Sequence, residues 1–558
     1  MEIEAREPED DGRIPFRLRI GVTGHRTLEN EEELAPLVRE QVNRVLGLLE
    51  AKETTLTLSA VSQLADGADR LVVREVRAVA EGRGEEARVE CYLPMPREEY
   101  ARVQDFEPWS EREFEEMLRE ATVVREPATG TGHSDRHEAY RSAGHLLVGR
   151  CDVLIALWDG LPARGRGGTA EIVAWAAARS KPCIWIETGG ERGIRDNLDP
   201  GRGKAFFEEV QERAQLDPPI RWSPMDHPGE TLQSVRTALH SLDEYNREPS
   251  PPGFKARLHK ERNRPEGLAD WVAPPYARAT TLAARWRGRF EWTARVITAL
   301  ATLGAAMLGI GLSYGEEAEV WAWAEAAMFA AALIGLLVVR GFGFHRRWIS
   351  IRVLAEHLRS AHFLALTGAD FRRQARLDPV YGGKEPTAWL MRAFEEVWDR
   401  RPLHPTPPSE LKPDQLKQLK QRLADEWIQG QIGYHEGSRK RHRRWHRIQS
   451  ACVLFLFVGT IVFAVLHALH TLEHAPVLFS IVLPAAGASL GVLMTVNQHH
   501  ALSERSASMK SDLGLVRQEI LDAPAESLDR VSSDAARTIA QETVAWFGSM
   551  WFLDIEHP

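Results

Sequence analysis

The sequence predicts an α/β Rossmann-like N-terminal domain with a parallel sheet, followed by an all-α C-terminal membrane domain with four transmembrane helices in two two-span repeats. Three observations lead to this prediction. Apolar segments alternate with amphipathic helical patterns over residues 14–188. Long apolar runs occur only after residue 290. These runs form two pairs, and each pair follows a basic, tryptophan-containing segment and precedes a charged helical stretch.

The N-terminal half contains strand-like segments separated by helical patterns. Several of these segments are almost continuously apolar, which is typical of strands covered by helices on both faces. The spacing predicts a doubly wound parallel sheet, and such sheets bind ligands at the carboxyl ends of their strands. The predicted strands cover residues 16–22, 56–61, 88–94, 122–126, 152–158 and 182–187. The predicted helices fall near residues 34–49, 67–82, 110–121, 135–150 and 169–179.

Four apolar runs in the C-terminal half are each long enough to cross a bilayer, because about 20 apolar residues span the ~30 Å hydrocarbon core. Glu325 is the only acidic residue within them, and its place near the outer end of its run leaves a pore-lining and an interfacial position equally open. Glycine pairs spaced four apart would allow close helix packing, and we expect a homo-oligomer. The runs cover residues 296–314, 320–339, 448–466 and 475–496, and the glycine pairs are Gly311/Gly315 and Gly487/Gly491.

The basic residues predict the orientation of these spans. Arginine or lysine residues precede the first run, follow the second and precede the third, whereas the loop 314–320 is acidic and the loop 467–474 has neither lysine nor arginine. The positive-inside rule then predicts a multi-pass protein of the inner (cytoplasmic) membrane, with both termini and residues 340–447 in the cytoplasm. The N-terminal segment is acidic and polar, which is unlike a signal peptide.

Composition narrows the classes of partner. The net charge is −9, and the basic clusters adjoin apolar runs, so we read them as anchors for the lipid bilayer and expect no direct nucleic-acid partner. The four cysteines are scattered without a C-x-x-C spacing, so the sequence predicts neither a disulfide framework nor a metal site.

Proline-rich breaks at residues 247–253 and 401–410 help to divide the chain. Apolar residues at intervals of three to four also predict an amphipathic helix over residues 411–447 that runs into the third span. The predicted parts are an N-terminal tail (1–13), a nucleotide-binding domain (14–248), a linker (249–277), a first two-span repeat (278–370), a cytoplasmic helical segment (371–447), a second two-span repeat (448–530) and a C-terminal tail (531–558).

Glycine-bearing loops follow the first, second and fifth predicted strands, and they carry the candidate ligand-binding residues. Glycines let backbone N–H groups approach a phosphate, and the helix that follows adds its positive end. Each loop taken alone is also typical of an ordinary turn or helix cap, but three at one sheet edge favour a nucleotide or phosphate site. The candidates are Gly24, His25, Arg26, Ser59, Asp66, Gly67, Asp69, Arg70, Asp159, Gly167, Gly168, Thr169 and Glu171, with further charge from Arg164 and Arg166.

These motifs resemble the SLOG superfamily over roughly residues 14–190. The segments that carry the resemblance are GVTGHR, SAVSQLADGADRLV, LPMPREEY and DVLIALWDG…GRGGTAEIVAWA. That superfamily includes cytokinin-activating phosphoribohydrolases (LOG), DNA-processing proteins of the DprA type and the N-terminal regions of melastatin-type TRP channels. The membrane half is similar in architecture to SLATT domains, which accompany SLOG domains in bacterial conflict systems. The resemblance implies a domain that binds a nucleotide-derived ligand, ADP-ribose-like or a cyclic nucleotide, and gates a membrane effector.

One motif departs from the phosphoribohydrolase pattern PGGxGTxxE. Here Glu171 follows Thr169 by two positions and not three, which rotates the carboxylate by about 100° around a helix. The form GTAE is also similar to nucleoside deoxyribosyltransferases, in which an acidic residue attacks the sugar. Three functions therefore stay open. The favoured one is a nucleotide sensor that gates a pore or disrupts the membrane, in anti-phage defence as the resemblance implies. The others are a membrane-anchored NAD-like or nucleotide hydrolase with Glu171 as the acid, and a constitutive channel or scaffold.

Overall fold

The computed structural model describes residues 11–104, 106–127, 136–162, 167–189, 193–224, 231–262, 268–314, 318–369, 388–401, 406–469 and 475–551. The chain forms two compact units. The first, which we call the sheet unit, comprises Arg13–Pro249 and Asp378–Glu396. The second, the helical unit, comprises Met1–Gly12, Ser250–Leu377 and Val397–Pro558. The sequence-based division did not anticipate that a segment from the C-terminal half belongs to the sheet unit.

The sheet unit is built on a seven-stranded sheet. Its strands are β1 (Phe16–Gly24), β2 (Leu56–Ser62), β3 (Arg88–Tyr92), β4 (Val123–Arg125), β5 (Val153–Trp158), β6 (Cys183–Glu187) and β7 (Ile194–Asp196). Their order is β4-β3-β2-β1-β5-β6-β7, and all neighbours are parallel except β6 and β7. The six predicted strands are present. The short antiparallel edge strand β7 was not predicted, because three residues carry too little pattern.

Helices separate the strands. Those before residue 250 are α1 (Glu31–Gly47), α2 (Ala68–Glu81), α3 (Arg97–Gln104), α4 (Pro108–Glu120), α5 (Arg136–Arg150), α6 (Thr169–Ala178), α7 (Gly203–Ala214) and α8 (Leu232–Arg247). Every residue of β5 is buried, as expected for a strand between two helical layers. Beside it, Trp158 and Trp185 join the apolar faces of α6 and α7 in one core.

The remaining helices, in chain order, are α9 (Phe254–Arg262), α10 (Ala273–Tyr314), α11 (Ala318–Phe342), α12 (Phe344–Thr367), α13 (Ala388–Trp398), α14 (Pro413–Arg422), α15 (Gln429–Ala468), α16 (Ala475–Asn497), α17 (His499–Asp522) and α18 (Leu528–Trp551). A π-helical turn at Leu423–Ile428 joins α14 to α15. All of them except α13 lie in the helical unit, whereas α13 lies in the sheet unit up to Glu396.

The helical unit repeats one arrangement twice. A long helix of 42 residues (α10) or 40 residues (α15) is followed by one of 25 (α11) or 23 (α16), and then by one of 24 in each half (α12, α17). In each half a residue with positive φ, Gly343 or Gln498, turns the chain into the third helix. The predicted two-span repeat is therefore present.

Four helices of this unit are long and apolar enough to cross a membrane. They contain the four predicted runs, and they expose large apolar side chains, among them Phe455 and Phe457 at 76% and 64% exposure. This is compatible with a multi-pass membrane protein. The predicted fold class, an α/β parallel-sheet domain followed by an all-α domain with four transmembrane helices, is confirmed.

The predicted glycine contacts within these helices differ. A Cβ added at Gly311 would lie 3.1 Å from the Cβ of Trp321, so this position is close-packed against α11. Gly487 and Gly491 on α16 have nothing within 4 Å of such a Cβ. Gly315 lies outside the described residues.

Candidate functional site

A cleft of about 1050 Å³ opens at the carboxyl edge of the sheet. It is lined by residues that follow β1, β2 and β5 and by the first turn of α6. Strand β1 lies between β2 and β5, so the order of the strands reverses beside it. Open parallel sheets bind their ligands at this switch point, because the loops on either side diverge there.

The loop after β1 is held against the end of β5. The backbone N–H of His25 donates to the carbonyl of Leu157 over 3.2 Å. In return, the backbone N–H of Asp159 donates to Nε2 of His25 over 3.1 Å. A Cβ added at Gly24 would lie 2.4 Å from that of Ala68. Glycine at this position therefore lets β1, β5 and α2 meet at the floor of the cleft.

Gly67 joins the second loop to the first. Its φ of +69° lies in the left-handed region, which glycine adopts without a steric penalty. An added Cβ would also lie 2.4 Å from the carbonyl oxygen of Arg26. The next residue, Ala68, donates its N–H to the carbonyl of His25 over 3.0 Å. The start of α2 is therefore fixed to the β1 loop.

The first turn of α6 supplies the third loop. Gly167, Gly168 and Thr169 all line the cleft. Gly167 has φ +78°, and Gly168, the residue at the N-cap position of this helix, makes no side-chain cap bond. Unpaired N–H groups and the helix dipole make such a terminus attractive to anions, and the hydroxyl of Thr169 adds a further donor.

Asp69 is the most buried carboxyl group of the cleft lining. It is 7% exposed, and its Oδ2 accepts from the Ser62 hydroxyl and from the backbone N–H of Gln63, each over 2.9 Å. Burial raises the pKa of Asp69 to about 6, although these hydrogen bonds oppose the rise. Close to neutral pH this carboxyl can therefore either donate or accept a proton.

An aromatic wall, formed by Tyr100 and Tyr140, completes the cleft. Gln104 donates its side-chain amide to the Tyr140 hydroxyl over 2.9 Å, and the guanidinium of Arg26 lies 5.6 Å from the Tyr140 ring centroid. Tyr100 is fully buried, and its hydroxyl has no hydrogen-bond partner among the described residues. Burial raises the pKa of Tyr100 well above its ordinary value, so its hydroxyl remains a hydrogen-bond donor.

The sequence did not identify this wall. The segment LPMPREEY, which ends at Tyr100, contributed to the family resemblance without supplying a candidate residue. Tyr140 lies on α5, where it carries no local motif. The signal that would have found both is their position in helices that flank the same sheet edge.

Of the thirteen predicted site residues, eight line the cleft. These are Gly24, His25, Arg26, Asp69, Asp159, Gly167, Gly168 and Thr169. Ser59, Asp66, Gly67, Arg70 and Glu171 do not line it. Arg164 and Arg166 lie outside the described residues.

Arg70 is placed differently from the phosphate contact that the sequence predicted. It is 1% exposed, and its guanidinium lies 2.9 Å from carboxylate oxygens of Asp66 and Glu113. It also donates to the carbonyl of Ser110 over 2.9 Å. Arg70 therefore holds the β2 loop against α4, and Asp66 takes part in this contact as one of its ion-pair partners.

Ser59 and Glu171 have structural partners as well. Ser59 lies in the middle of β2, where its hydroxyl donates to Glu90 over 3.2 Å, well before the end of the strand. Glu171 is 8% exposed. One of its oxygens accepts from the N–H of Gly167 over 2.7 Å, and the other lies 2.8 Å from Nε of Arg141. Its carboxylate shapes the loop before α6.

The cleft thus combines a helix N-terminus, an exposed arginine, an aromatic wall and a buried carboxyl. Together these groups can bind a molecule that carries phosphate and a flat ring. Among the described residues, no group of three or more His, Cys, Asp or Glu is arranged to hold a metal ion. No family model, no curated protein and no solved structure matches the chain.

Proposed function

We propose that this chain is a nucleotide-signal sensor that gates a membrane pore or a membrane-disrupting effector. The observation that carries the proposal is the cleft at the switch point of the sheet, where the start of α6 faces the aromatic wall. A ligand would place its phosphates against Gly168 and Thr169 and its ring against Tyr140. The buried hydroxyl of Tyr100 would gain a partner, which offsets the cost of leaving it unpaired.

The size of the cleft favours a ligand larger than a mononucleotide. Small-molecule sites commonly enclose about 300–1,000 Å³, and this cleft lies at the upper end with about 1050 Å³. An ADP-ribose-like molecule or a cyclic dinucleotide has suitable size, with phosphates between its rings or sugars. Both belong to the ligand class that the SLOG resemblance implies.

Helix α13 supports a coupling role for the sheet unit. It belongs to the sheet unit up to Glu396, whereas the chain before and after residues 378–396 belongs to the helical unit. Its acidic side chains pair with β1, since Glu396 contacts Arg17 and Glu395 lies 2.9 Å from Arg19. One strand therefore carries a cleft loop at one end and the α13 contact at the other. A ligand that shifts β1 would act on α13, whose last residues, Val397 and Trp398, belong to the helical unit.

The resemblance to SLOG and SLATT domains extends this proposal. We infer a protein of the bacterial inner membrane with the sheet unit in the cytoplasm, a homo-oligomer in the bilayer, and a role in abortive anti-phage defence. The four apolar helices and the basic segments beside them support the membrane location and the orientation.

A binding experiment tests the sensor. Full-length protein in detergent is screened by thermal shift and calorimetry against nucleotides, cyclic dinucleotides and ADP-ribose derivatives. A ligand at 100 times its Kd stabilises the folded state by about 2.7 kcal/mol. Arg26→Ala should weaken binding at least about tenfold, because it removes a charge-assisted contact. Arg112→Ala, an exposed arginine of α4 that lies away from the cleft, should bind normally. Absence of binding across the panel by folded protein contradicts the proposal.

A flux experiment tests the effector. The ligand found by that screen should open liposomes that contain the wild-type protein, and Arg26→Ala should require at least about tenfold more ligand. A ligand shifts a closed–open equilibrium only through its different affinities for the two states. Equal dye release with and without bound ligand would contradict the gated effector and favour a constitutive channel or a scaffold.

The second candidate function is a membrane-anchored hydrolase of a nucleotide or NAD-like glycosidic bond, and Asp69 favours it. Asp69 lines the cleft, and its pKa of about 6 suits a general acid. Glu171, the acid that the sequence favoured, does not line the cleft, and both of its carboxylate oxygens are engaged by Gly167 and Arg141. Chromatography of the ligand after prolonged incubation distinguishes the two functions. Release of a free base by wild type, lost in Asp69→Asn and kept in Glu171→Gln, would establish the enzyme.

A further inference from the structure

The helical unit contains a second polar cavity. It has a volume of about 250 Å³ and lies between α10, α12, α15, α17 and α18. On α10 its lining ends at Arg287, and on α15 it ends at His442. The uncharged runs of these helices begin at Val296 and Ile448. At 1.5 Å per residue the cavity begins roughly 9–14 Å outside the apolar stretches, on their basic side.

Charge dominates the lining of this cavity. Four arginines face it, and two glutamates offset part of their charge. Glu356 is paired with Arg352, and Gln431 donates to it over 3.3 Å. The second glutamate, Glu542, has its pKa raised by burial, which weakens its compensation of the arginines. The four arginines are Arg287, Arg352, Arg441 and Arg505.

Neutral donors complete the lining. Ser438 and Ser506 are buried and line the cavity together with Tyr434. His435 is 6% exposed, and its Nδ1 is buried without a hydrogen-bond partner among the described residues. An unpaired buried polar atom carries an uncompensated desolvation cost. A bound ligand that accepts from this nitrogen would offset that cost.

We propose that this cavity binds a phosphoryl group. The lining holds two more arginines than glutamates, and one of these arginines, Arg287, also pairs with Glu291 outside the lining over 2.7 Å. The remaining positive charge favours an anion, and arginine suits the several oxygens of a phosphate better than a single acceptor. The volume lies below the usual range for drug-sized ligands, so the bound group is small. This site is separate from the sheet-unit cleft, and it does not depend on the function proposed above.

The phosphoryl group has two sources. A soluble phosphate or pyrophosphate reaches the cavity from the cytoplasmic side. Headgroups extend about 6 Å beyond the hydrocarbon core and so stop short of the cavity in a flat bilayer. An anionic lipid therefore reaches the membrane-proximal end of the cavity, near Arg287 and Arg441, only when its headgroup rises several ångström out of the bilayer plane. Both sources use the same arginines, so experiments with each probe distinguish them.

Full-length protein provides the test. Binding of inorganic phosphate and pyrophosphate is measured in detergent by calorimetry, and binding of phosphatidylglycerol is measured in nanodiscs by native mass spectrometry. Arg505→Gln should weaken the bound phosphoryl ligand at least about tenfold. Arg517→Gln on the same helix α17 is the matched control, because Arg517 pairs with Asp425 and does not line the cavity. Arg26→Ala removes a cleft charge and should leave this binding unchanged.

A second variant distinguishes the loss of a ligand contact from misfolding. His435→Phe keeps a ring and removes Nδ1, so it should weaken the same ligand several-fold while the melting temperature stays at or above that of wild type. Loss of pyrophosphate binding in Arg505→Gln assigns a soluble ligand. Loss of phosphatidylglycerol binding alone in Arg505→Gln assigns a lipid headgroup. Affinity for all three probes that does not depend on Arg505 and His435 overturns the proposal.

Discussion

The two edges of the parallel sheet are built in opposite ways. At the carboxyl edge, polar groups line an open cleft, and Tyr100 has a buried hydroxyl without a partner in the described part of the chain. At the amino edge, α13 covers the strands, and Arg17 and Glu396 are both 3% exposed and paired. The carboxyl edge therefore keeps polar groups open to a ligand, whereas the polar groups of the amino edge are paired by the chain itself. Both edges include β1, so a single strand connects them.

The amino edge neutralises its charges within one network. Arg19 lies 2.9 Å from both Glu90 and Glu395, and Arg392 of α13 pairs with Asp152. Each charge has an opposite partner, which is required once water is excluded. Such a network fixes α13 in one position, because a shifted helix would leave buried charges unpaired.

The largest effect is expected at this edge. Arg17→Met leaves Glu396 with a weaker partner and should destabilise the protein by about 3–5 kcal/mol, because a buried charge loses its compensation. Arg13→Met, four residues earlier, removes an exposed pair with Glu53 that is 41% and 39% exposed and should cost under about 1 kcal/mol. Urea unfolding in detergent, followed by tryptophan fluorescence, measures both. Equal effects would show that α13 does not depend on its ion pairs.

The next effect concerns pH at the carboxyl edge. The pKa of Asp69 is raised from 3.8 to about 6, so the folded protein favours the protonated form more than the unfolded chain does. Stability from this group is full below about pH 4 and is lost as pH rises through 6. The loss amounts to about 3 kcal/mol. Asp69→Asn should therefore be more stable than wild type at pH 8.

Urea unfolding between pH 4 and pH 8 measures the slope. In Asp69→Asn the part of the slope that falls between pH 4 and pH 6 should vanish. Asp159→Asn removes another carboxylate from the same cleft and leaves Asp69 in place, so it should keep that slope. A wild-type slope that survives in Asp69→Asn would assign the titration to a different group.

The contrast between the edges also explains what the sequence could predict. Alternating apolar segments and glycine loops revealed the sheet and the carboxyl edge, because Gly24, Gly67 and Gly168 each follow a strand. The amino edge depends on residues far apart in the chain, since Arg19 and Glu395 are separated by 376 positions. No local pattern connects them. The aromatic wall was missed for the same reason.

Arg70 shows a different limit. An arginine beside a glycine loop is typical of a phosphate site, and the sequence does not reveal whether its charge is already satisfied. In the fold, Glu113 of α4 lies 2.9 Å from its guanidinium. The acidic partner comes from a helix 43 residues away. The sequence motif was therefore interpreted without Glu113, the residue that neutralises Arg70.

A smaller effect is expected from glycine at the carboxyl edge. Gly67→Ala places a Cβ 2.4 Å from the carbonyl oxygen of Arg26 and adds the cost of positive φ, so it should destabilise the protein by more than about 2 kcal/mol and weaken ligand binding. Gly84→Ala also has positive φ, at +73°, but nothing within 4 Å of the new Cβ. It should cost only about 1 kcal/mol. The difference between the free energies of unfolding of the two variants, measured in urea, gives the cost of the close approach to the Arg26 carbonyl. Similar free energies for both variants would contradict this prediction.

The smallest effect has opposite signs at two tyrosines, Tyr100 in the cleft and Tyr92, whose hydroxyl reaches Glu90 of the amino-edge network. Tyr100→Phe removes the unpaired buried hydroxyl and should stabilise the ligand-free protein by up to about 1 kcal/mol. It should also weaken the ligand several-fold, because the ligand loses a donor. Tyr92→Phe removes a hydroxyl that donates to Glu90 over 3.1 Å, so it should destabilise by about 1 kcal/mol and leave ligand affinity unchanged. Thermal unfolding and calorimetry measure both quantities. If Tyr100→Phe lowered stability without changing ligand affinity, its hydroxyl would be part of the packed core, and the carboxyl edge would be as complete as the amino edge.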